Sequence, residues 1–231
     1  MPVYQLGAEL WFPPANEFEE HGVVAIGGDL SADRIVLAYQ QGIFPWFNEG
    51  EPILWWCPEK RMVLKPREVK ISKSLRNVLN RKKFQIKIDT AFEEVIHQCQ
   101  NINRQGQDGT WINEDLKSSF IELHHQGLAH SFECWENNEL VGGLYGLALG
   151  NVFSGESMFS KVSNASKVAF TAMCSMLEKL DFAYVDCQMY NSFLASLGAY
   201  EIDRPSFLEI NDNSHFGDTI KGNWSGFLKD S

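Results

Sequence analysis

The stretch that decides the fold is residues 129–160, AHSFECWENNELVGGLYGLALGNVFSGESMFS. It contains three strand-like runs, AHSFECW (129–135), ELVGGLYGLAL (139–149) and NVFSGE (151–156). The breaks between them, at residues 136–138 and 150–151, are rich in Asn and Gly, which suit tight turns. The stretch therefore predicts an antiparallel meander of three strands.

Helices and strands alternate on both sides of this meander. Before it, FQIKID (84–89) predicts a strand, and Thr90 with Glu93 predicts a capping box at the start of the helix TAFEEVIHQCQ. Asn113 is predicted to start a second helix, which Gly127 ends. After it, the patterns predict a long helix at 164–180, a strand at 182–188, a short helix at 191–198 and a last strand, SFLEI, at 206–210.

The resulting order is β, α, α, β, β, β, α, β, α, β. It is similar to the order of the acyl-CoA N-acyltransferase (GNAT) fold, which moves acyl groups onto amines, and by itself it is an analogy. The expected class is α+β, with a GNAT-like mixed sheet flanked by helices.

The first 62 residues are expected to form a small N-terminal α/β domain, followed by a second domain at 63–231. SADRIVLAYQQG predicts a helix capped by Ser31 and followed by Gly42. GIFPWF and PILWWCP supply large rings that predict a compact core, some of which could line a stacking surface.

Composition excludes several classes. The 231 residues are 44% hydrophobic and 22% charged, as in a globular protein. No long uncharged apolar run and no signal-peptide pattern occur, so we expect a cytoplasmic protein without a membrane partner. The five cysteines form no CxxC pair and are expected to be reduced. His124, His125 and His130 lack metal-ligand spacing, so no metal site is expected.

The charge is unevenly distributed. The net charge is −10, yet the segment from Lys60 to Lys87, named here the basic segment, holds eleven of the twenty basic residues and one of the thirty acids. One face could therefore bind a polyanion while the rest of the protein repels it. The alternative is a lysine-rich helix and turn that is merely solvated.

Asp186 and Gln188, in VDCQM, are the sharpest chemical feature. Residues two apart in a strand point to one side, so the carboxylate and the carboxamide are expected to share a face. Such a pair could orient an attacking amine, or it could be a hydrogen-bond network at a strand end. Glu156, between a glycine and apolar neighbours, is expected to bind a cation, either an ammonium ligand or a lysine.

Apolar residues of the strands and the long helix could form a pocket or simply be core; they include Leu144, Phe153, Met158, Phe170 and Met173. Unbranched methionines would suit both leucine and phenylalanine side chains. Trp111, after a polar loop, is equally a base-stacking platform or a packing residue.

Ten short strings occur in a familiar order between Gly27 and Phe207: GGDLS, GIFPWF, ILWWCP, GTWI, AHSFECW, ELVGGLYG, FSGESMFS, NASK, DCQ and SLGA. Together they closely resemble the bacterial leucyl/phenylalanyl-tRNA–protein transferases. That family transfers Leu, Phe and, less readily, Met from aminoacyl-tRNA to proteins with N-terminal Arg or Lys, which marks them for degradation, and it needs no cofactor.

The resemblance also implies roles for residues. Asp186 and Gln188 match the catalytic pair, either as a general base or as a positioning device, and Glu156 lies near the amino group of the aminoacyl ester. Trp111 matches the residue that stacks on the terminal adenosine. The side-chain pocket falls on Leu144, Phe153, Met158, Phe170, Met173 and Val185. The basic segment would grip the tRNA acceptor stem, with Arg76, Arg81, Lys82 and Lys83 as the expected contacts, and the protein is expected to be a monomer.

Two departures from the family pattern stand out. Because the protein is strongly acidic overall, the sequence does not determine how wide its tRNA-binding surface is. Leu144 and Met173 replace other apolar residues, so the ratio of leucine to phenylalanine transfer could differ.

Two other functions compete with this interpretation. An acetyl-CoA-dependent N-acetyltransferase would fit the fold, but the loop before the long helix reads SKVSNASK and lacks the glycines that cradle a pyrophosphate. A non-catalytic RNA-binding module built on the basic segment would bind RNA regardless of its aminoacyl group.

Overall fold

The computed structural model describes residues 3–102, 112–215 and 218–228, whose strands form two sheets. The strands are β1 Tyr4–Leu6, β2 Val23–Gly27, β3 Phe44–Pro45, β4 Leu54–Trp56, β5 Lys60–Leu64, β6 Gln85–Ile88, β7 Ala129–Glu136, β8 Glu139–Leu149, β9 Val152–Ser160, β10 Tyr184–Asp186 and β11 Tyr200–Asp203. The helices are α1 Ala32–Gln40, α2 Lys73–Asn80, α3 Phe92–Asn101, α4 Glu114–His125, α5 Ala165–Lys179, α6 Ser192–Ser196 and α7 Arg204–His215. Three 3-10 turns span Ala15–Glu17, Pro66–Glu68 and Trp224–Leu228.

The predicted meander is confirmed as the centre of the larger sheet. β7, β8 and β9 pair antiparallel in sequence order. The seven-stranded sheet has the order β11-β5-β10-β9-β8-β7-β6, and within it β10 runs parallel to β9. This is the mixed sheet that the sequence predicted.

Helices cover both faces of the larger sheet. Alternate residues of β8 face opposite ways, so Tyr145 and Leu147 join the core made with α3 and α4, whereas Leu144 and Ala148 join the core made with α5. The first of these cores also contains residues of the smaller sheet, which has the order β1-β2-β4-β3. The two sheets therefore share one apolar core.

The predicted division at residue 62 falls inside β5, and all of β5 pairs within the larger sheet. The division into two domains stays a prediction.

Most of the predicted helix starts are confirmed by their caps. The Ser31 hydroxyl accepts from the Arg34 N–H at the start of α1, and the Asn113 side chain accepts from the Leu116 N–H at the start of α4. The capping box at Thr90 is wrong. Helix α3 begins after Ala91, and the Thr90 hydroxyl instead donates to the buried Glu133 carboxylate.

Two strand predictions also need correction. SFLEI lies inside α7, because the last strand comes earlier, at β11, and Phe207 packs as a fully buried helical residue. The strand predicted at 182–188 is only three residues long and ends at Asp186. The basic segment contributes β5 and β6 as well as α2, so it is not only a helix and a turn.

Candidate active site

A cavity lies where β9 and β10 separate. Their parallel pairing stops at Asp186 opposite Ser154, yet β9 continues to Ser160. The gap is part of a cavity of about 620 Å³. Its walls come from β8, β9, α5, α6, the end of β10 and the chain after it, from Phe44 and Pro45 of β3 with the following Trp46, and from Ile102.

Five of the six predicted pocket residues line this cavity: Leu144, Met158, Phe170, Met173 and Val185. Phe153 is not among the described lining residues. Its ring packs against Phe132 and Trp224, with centroids 6.0 and 6.5 Å apart. Its carbons also lie so close to Gly146 that an added Cβ there would come within 2.5 Å of the ring. Phe153 thus supports the sheet behind the cavity.

Glu156 reaches the cavity through a bulge in β9. Tyr145 pairs with Ser157 and Gly146 with Gly155, so Glu156 is the extra residue between two ladder positions. A bulge re-aims the side chain it carries. The Oε1 atom of Glu156 accepts a 2.8 Å hydrogen bond from the Tyr39 hydroxyl and a 3.2 Å hydrogen bond from the Gln188 side-chain amide.

The electrostatics of Glu156 follow from its surroundings. Burial, and secondarily the nearby Asp186, raise the pKa of Glu156 to about 8, although the Tyr39 hydrogen bond acts in the opposite direction. Burial and Glu156 together hold the pKa of Tyr39 well above its usual value, so Tyr39 remains a donor. The raised pKa favours a protonated Glu156 near neutral pH, and a cation placed beside it would favour the carboxylate.

Gln188 lines the cavity, but not for the predicted reason. The prediction placed Asp186 and Gln188 on one face of a continuous strand, whereas β10 ends at Asp186 and Gln188 has a left-handed backbone with φ of 56°. Its backbone N–H donates to Asp186 Oδ1 at 3.0 Å. Because its side-chain amide nitrogen donates to Glu156, the amide oxygen is left as an acceptor with no donor among the described residues.

Asp186 lies behind the cavity wall rather than in it. Arg61 binds its carboxylate in a bidentate ion pair, from Nε to Oδ1 at 2.8 Å and from Nη2 to Oδ2 at 2.6 Å. The side chains are 1% and 3% exposed. The Arg61 guanidinium is sandwiched between the rings of Phe44 and Phe207, 4.6 and 4.4 Å from their centroids. Asp186 can therefore hold Gln188 in place, but it is not available to take a proton from a substrate.

Sequence reasoning missed two of these residues. Arg61 was counted with the basic segment, although it is buried and adds nothing to a cationic surface. Its position in KRMVL, followed by three apolar residues, is a signal for a buried strand. Tyr39 lies on the core face of α1 with Ile35, and nothing in the sequence indicates that its hydroxyl reaches Glu156.

Cys187 also lines the cavity, which raises the question of a thiol nucleophile. Burial and the neighbouring Asp186 hold the pKa of this thiol well above its ordinary value. A neutral thiol is a poor nucleophile. Cys187 is therefore poorly suited to act as a nucleophile in this cavity. All five cysteines are buried and free.

The basic segment presents most of its charge to solvent. Arg76 lies on α2, and Arg81, Lys82 and Lys83 follow it, all of them exposed. Lys83 pairs with Glu136 at 3.0 Å. The predicted base-stacking residue, Trp111, lies outside the described residues.

No three His, Cys, Asp or Glu residues in the described ranges are grouped so that they could hold a metal ion. No helix there has both the length and the apolar composition needed to cross a membrane.

The chain is similar to proteins of one known family. The family model described as leucyl/phenylalanyl-tRNA protein transferase matches residues 63–212, and the model for the N-terminal domain of the same transferase matches residues 28–59. A leucyl/phenylalanyl-tRNA–protein transferase of Flavobacterium johnsoniae is 57% identical over 90% of this chain and 98% of its own length. The enzyme of that name from Syntrophus aciditrophicus is 49% identical over 97% of this chain and 94% of its own.

Among solved structures, that of L-PGS from Bacillus licheniformis aligns with 72% of this chain and 53% of its own, at 9% identity and a TM-score of 0.40. A likeness at that level carries no weight for fold or function.

Proposed function

The chain belongs to the leucyl/phenylalanyl-tRNA–protein transferase family, and we propose that it transfers leucine or phenylalanine, and less readily methionine, from aminoacyl-tRNA to the N-terminus of a protein. The observation that carries this proposal is the pair of Glu156 and Gln188 on the wall of a largely apolar cavity of about 620 Å³. An apolar cavity with a few convergent polar groups suits an amino acid side chain attached to a reactive ester.

The reaction is aminolysis of an ester. The neutral α-amine of the acceptor attacks the ester carbonyl carbon, the bond from that carbon to the ribose oxygen breaks, and a proton from the nitrogen ends on the ribose oxygen. Free α-amines have a pKa of about 7.7–8.0, so a useful fraction is neutral near pH 7. Because the ester is already activated, positioning of the two reactants supplies much of the rate.

Gln188 and Glu156 are the groups that would touch the reactants. The free amide oxygen of Gln188 accepts a hydrogen bond from the attacking amine, and the Glu156 carboxylate binds the ammonium of the aminoacyl group. Asp186 acts through Gln188, since its carboxylate accepts the Gln188 backbone N–H. Asp186 is therefore a positioning residue in this mechanism, and the pair works without a general base.

The donor side chain would occupy the apolar wall formed by Leu144, Met158, Phe170, Met173 and Val185. The linear methionines adapt to both a branched and an aromatic guest. Trp111 would stack on the terminal adenosine, as the family resemblance implies. The mixed sheet, opened between two parallel strands, supports a GNAT-like assignment for this part of the chain.

The tRNA acceptor stem would lie on the exposed part of the basic segment, with Arg76, Arg81, Lys82 and Lys83 at its phosphates. We further propose acceptors with N-terminal Arg or Lys, a monomer, a cytoplasmic location and no cofactor. Each of these finer points rests on the family resemblance.

The test is transfer of radiolabelled leucine from Leu-tRNA to a protein that begins with Arg, beside the same protein beginning with Ala. Labelled acetyl-CoA serves as a second donor. Label on the Arg protein alone supports the proposal. Label from acetyl-CoA would favour an acetyltransferase, and RNA binding without transfer would favour a binding module.

A further inference from the structure

Two lysines flank the cavity at the end where α5 begins. The Lys161 ammonium lies 5.9 Å from the centroid of the Phe159 ring, and the Lys167 ammonium lies 5.5 Å from that of Phe193. Both rings line the cavity, as do Ser160 and Ser166, which precede the two lysines in the chain. The ammonium groups are thus held beside the lining residues, and we name them the rim lysines.

The rim lysines carry uncompensated charge. No carboxylate of the described residues lies within salt-bridge distance of either, although the protein has ten more acidic than basic side chains. The acid that lines the cavity is Glu156, and its carboxyl group is hydrogen-bonded to Tyr39 and Gln188 rather than to either rim lysine. Two cations without a salt-bridge partner among the described residues, beside the cavity of an acidic protein, favour an anionic ligand there.

The rim lysines also connect the cavity with the basic segment. Lys167 lies in the first turn of α5, and α5 packs against the 3-10 turn Pro66–Glu68 and against α2. Both of these elements belong to the basic segment. The basic segment and Lys167 therefore lie on elements that pack together, which offers a polyanion on that segment a route towards the cavity.

We propose that Lys161 and Lys167 bind the phosphates of the last nucleotides at the 3′ end of the tRNA. This inference rests on the proposed function. In an aminoacyl ester, the 5′-phosphate of the terminal nucleoside is only a few bonds from the ester oxygen. An ester in the cavity therefore leaves that phosphate close to the mouth, where the rim lysines provide charge-assisted donors.

The test measures RNA binding and does not depend on transfer. Two labelled hairpins are compared, one the acceptor stem with its single-stranded 3′ end and the other the same stem without that end. Wild-type protein should bind the complete hairpin more tightly. In Lys161→Gln/Lys167→Gln this preference should fall by about tenfold or more, as expected for lost hydrogen bonds to charged groups. The salt dependence, as the slope of log affinity against log salt, should fall by about 0.7 per lysine.

Lys179→Gln is the matched control, because Lys179 is at the far end of the same helix, about 18 Å along its axis. It should leave the preference intact. Equal losses for both hairpins, or no loss, would overturn the inference. A wild-type protein that does not distinguish the hairpins would also overturn it. Failure of the proposed function shows separately, as absence of leucine transfer from Leu-tRNA by a wild-type protein that still binds the hairpins.

Discussion

Replacement of Asp186 by Ala leaves the buried Arg61 guanidinium between Phe44 and Phe207 without its carboxylate partner. Removing one partner of a buried ion pair costs about 3–5 kcal/mol, a large part of the roughly 5–15 kcal/mol that stabilises a typical domain. For a chain of this size the melting temperature should fall by roughly 6–20 °C. Lost transfer in Asp186→Ala therefore says little about catalysis unless the folded fraction is known.

A double variant separates the two effects. In Arg61→Met/Asp186→Leu, an apolar pair replaces the ion pair, and the methionine can pack between the two rings. Most of the stability should return, since well-packed apolar replacements of buried pairs are often neutral. Transfer should stay reduced by roughly a hundredfold, because the Gln188 backbone N–H has lost its acceptor and Gln188 its fixed position.

The assay combines urea unfolding with single-turnover transfer at 15 °C, where each variant remains folded. Asp29→Ala is the control, since it also removes the partner of a buried arginine, Arg34, at a place outside the cavity. It should lower stability and leave transfer unchanged. The reasoning is refuted if Asp186→Ala unfolds within about 1 kcal/mol of wild type, or if the double variant transfers leucine at the wild-type rate.

Three further predictions follow from the site. Because folding raises the pKa of Glu156 to about 8, the folded wild-type protein should lose stability as the pH rises from the ordinary pKa of a glutamate to about 8. In urea titrations over this range, the stability of Glu156→Gln relative to wild type should increase with pH, and a constant difference would contradict the raised pKa. Lys82→Glu/Lys83→Glu should weaken tRNA binding, more at low than at high salt, whereas the control Lys117→Glu, on α4, should not. If the wild type and both variants bound tRNA with equal affinity, the basic segment would not be the tRNA face. Met173→Ala should enlarge the cavity and so raise the ratio of phenylalanine to leucine transfer in a competition assay, and it should cost about 2–5 kcal/mol of stability. An unchanged ratio would mean that the donor side chain binds elsewhere.

The sequence predicts the parts of the fold that depend on local patterns. The meander and helix α5 follow from periodicity, and the caps at Ser31 and Asn113 follow from side chains that bond backbone N–H groups nearby. The prediction of a strand at SFLEI is wrong because its apolar residues suit a helix as well as a strand, and the burial of Phe207 against the rest of the protein favours the helix.

The site is predicted less completely, for a physical reason. Four of the five lining residues, Leu144, Met158, Phe170 and Met173, were predicted from apolar residues on strands and a helix, whereas Val185 was implied by the family resemblance alone. The partner of Asp186 was not found, since Arg61 is 125 positions away and its charge suggested a surface. The bulge at Glu156 and the left-handed Gln188 depend on register and on the end of β10, which no local pattern reports.

Tyr39, Phe44 and Arg61 also bear on how such a chain can be divided or recombined. All three precede residue 63, yet they hold Glu156, Asp186 and a wall of the cavity. A fragment that begins after β5 would keep Gln188, Glu156 and Asp186 and lose Tyr39 and Arg61, which bind those two acids, so we expect the longer segment not to act as an autonomous catalytic module. Fusing it to another protein would transfer most of the larger sheet without the residues that hold its acids in place. The two segments are therefore expected to be inherited as one unit.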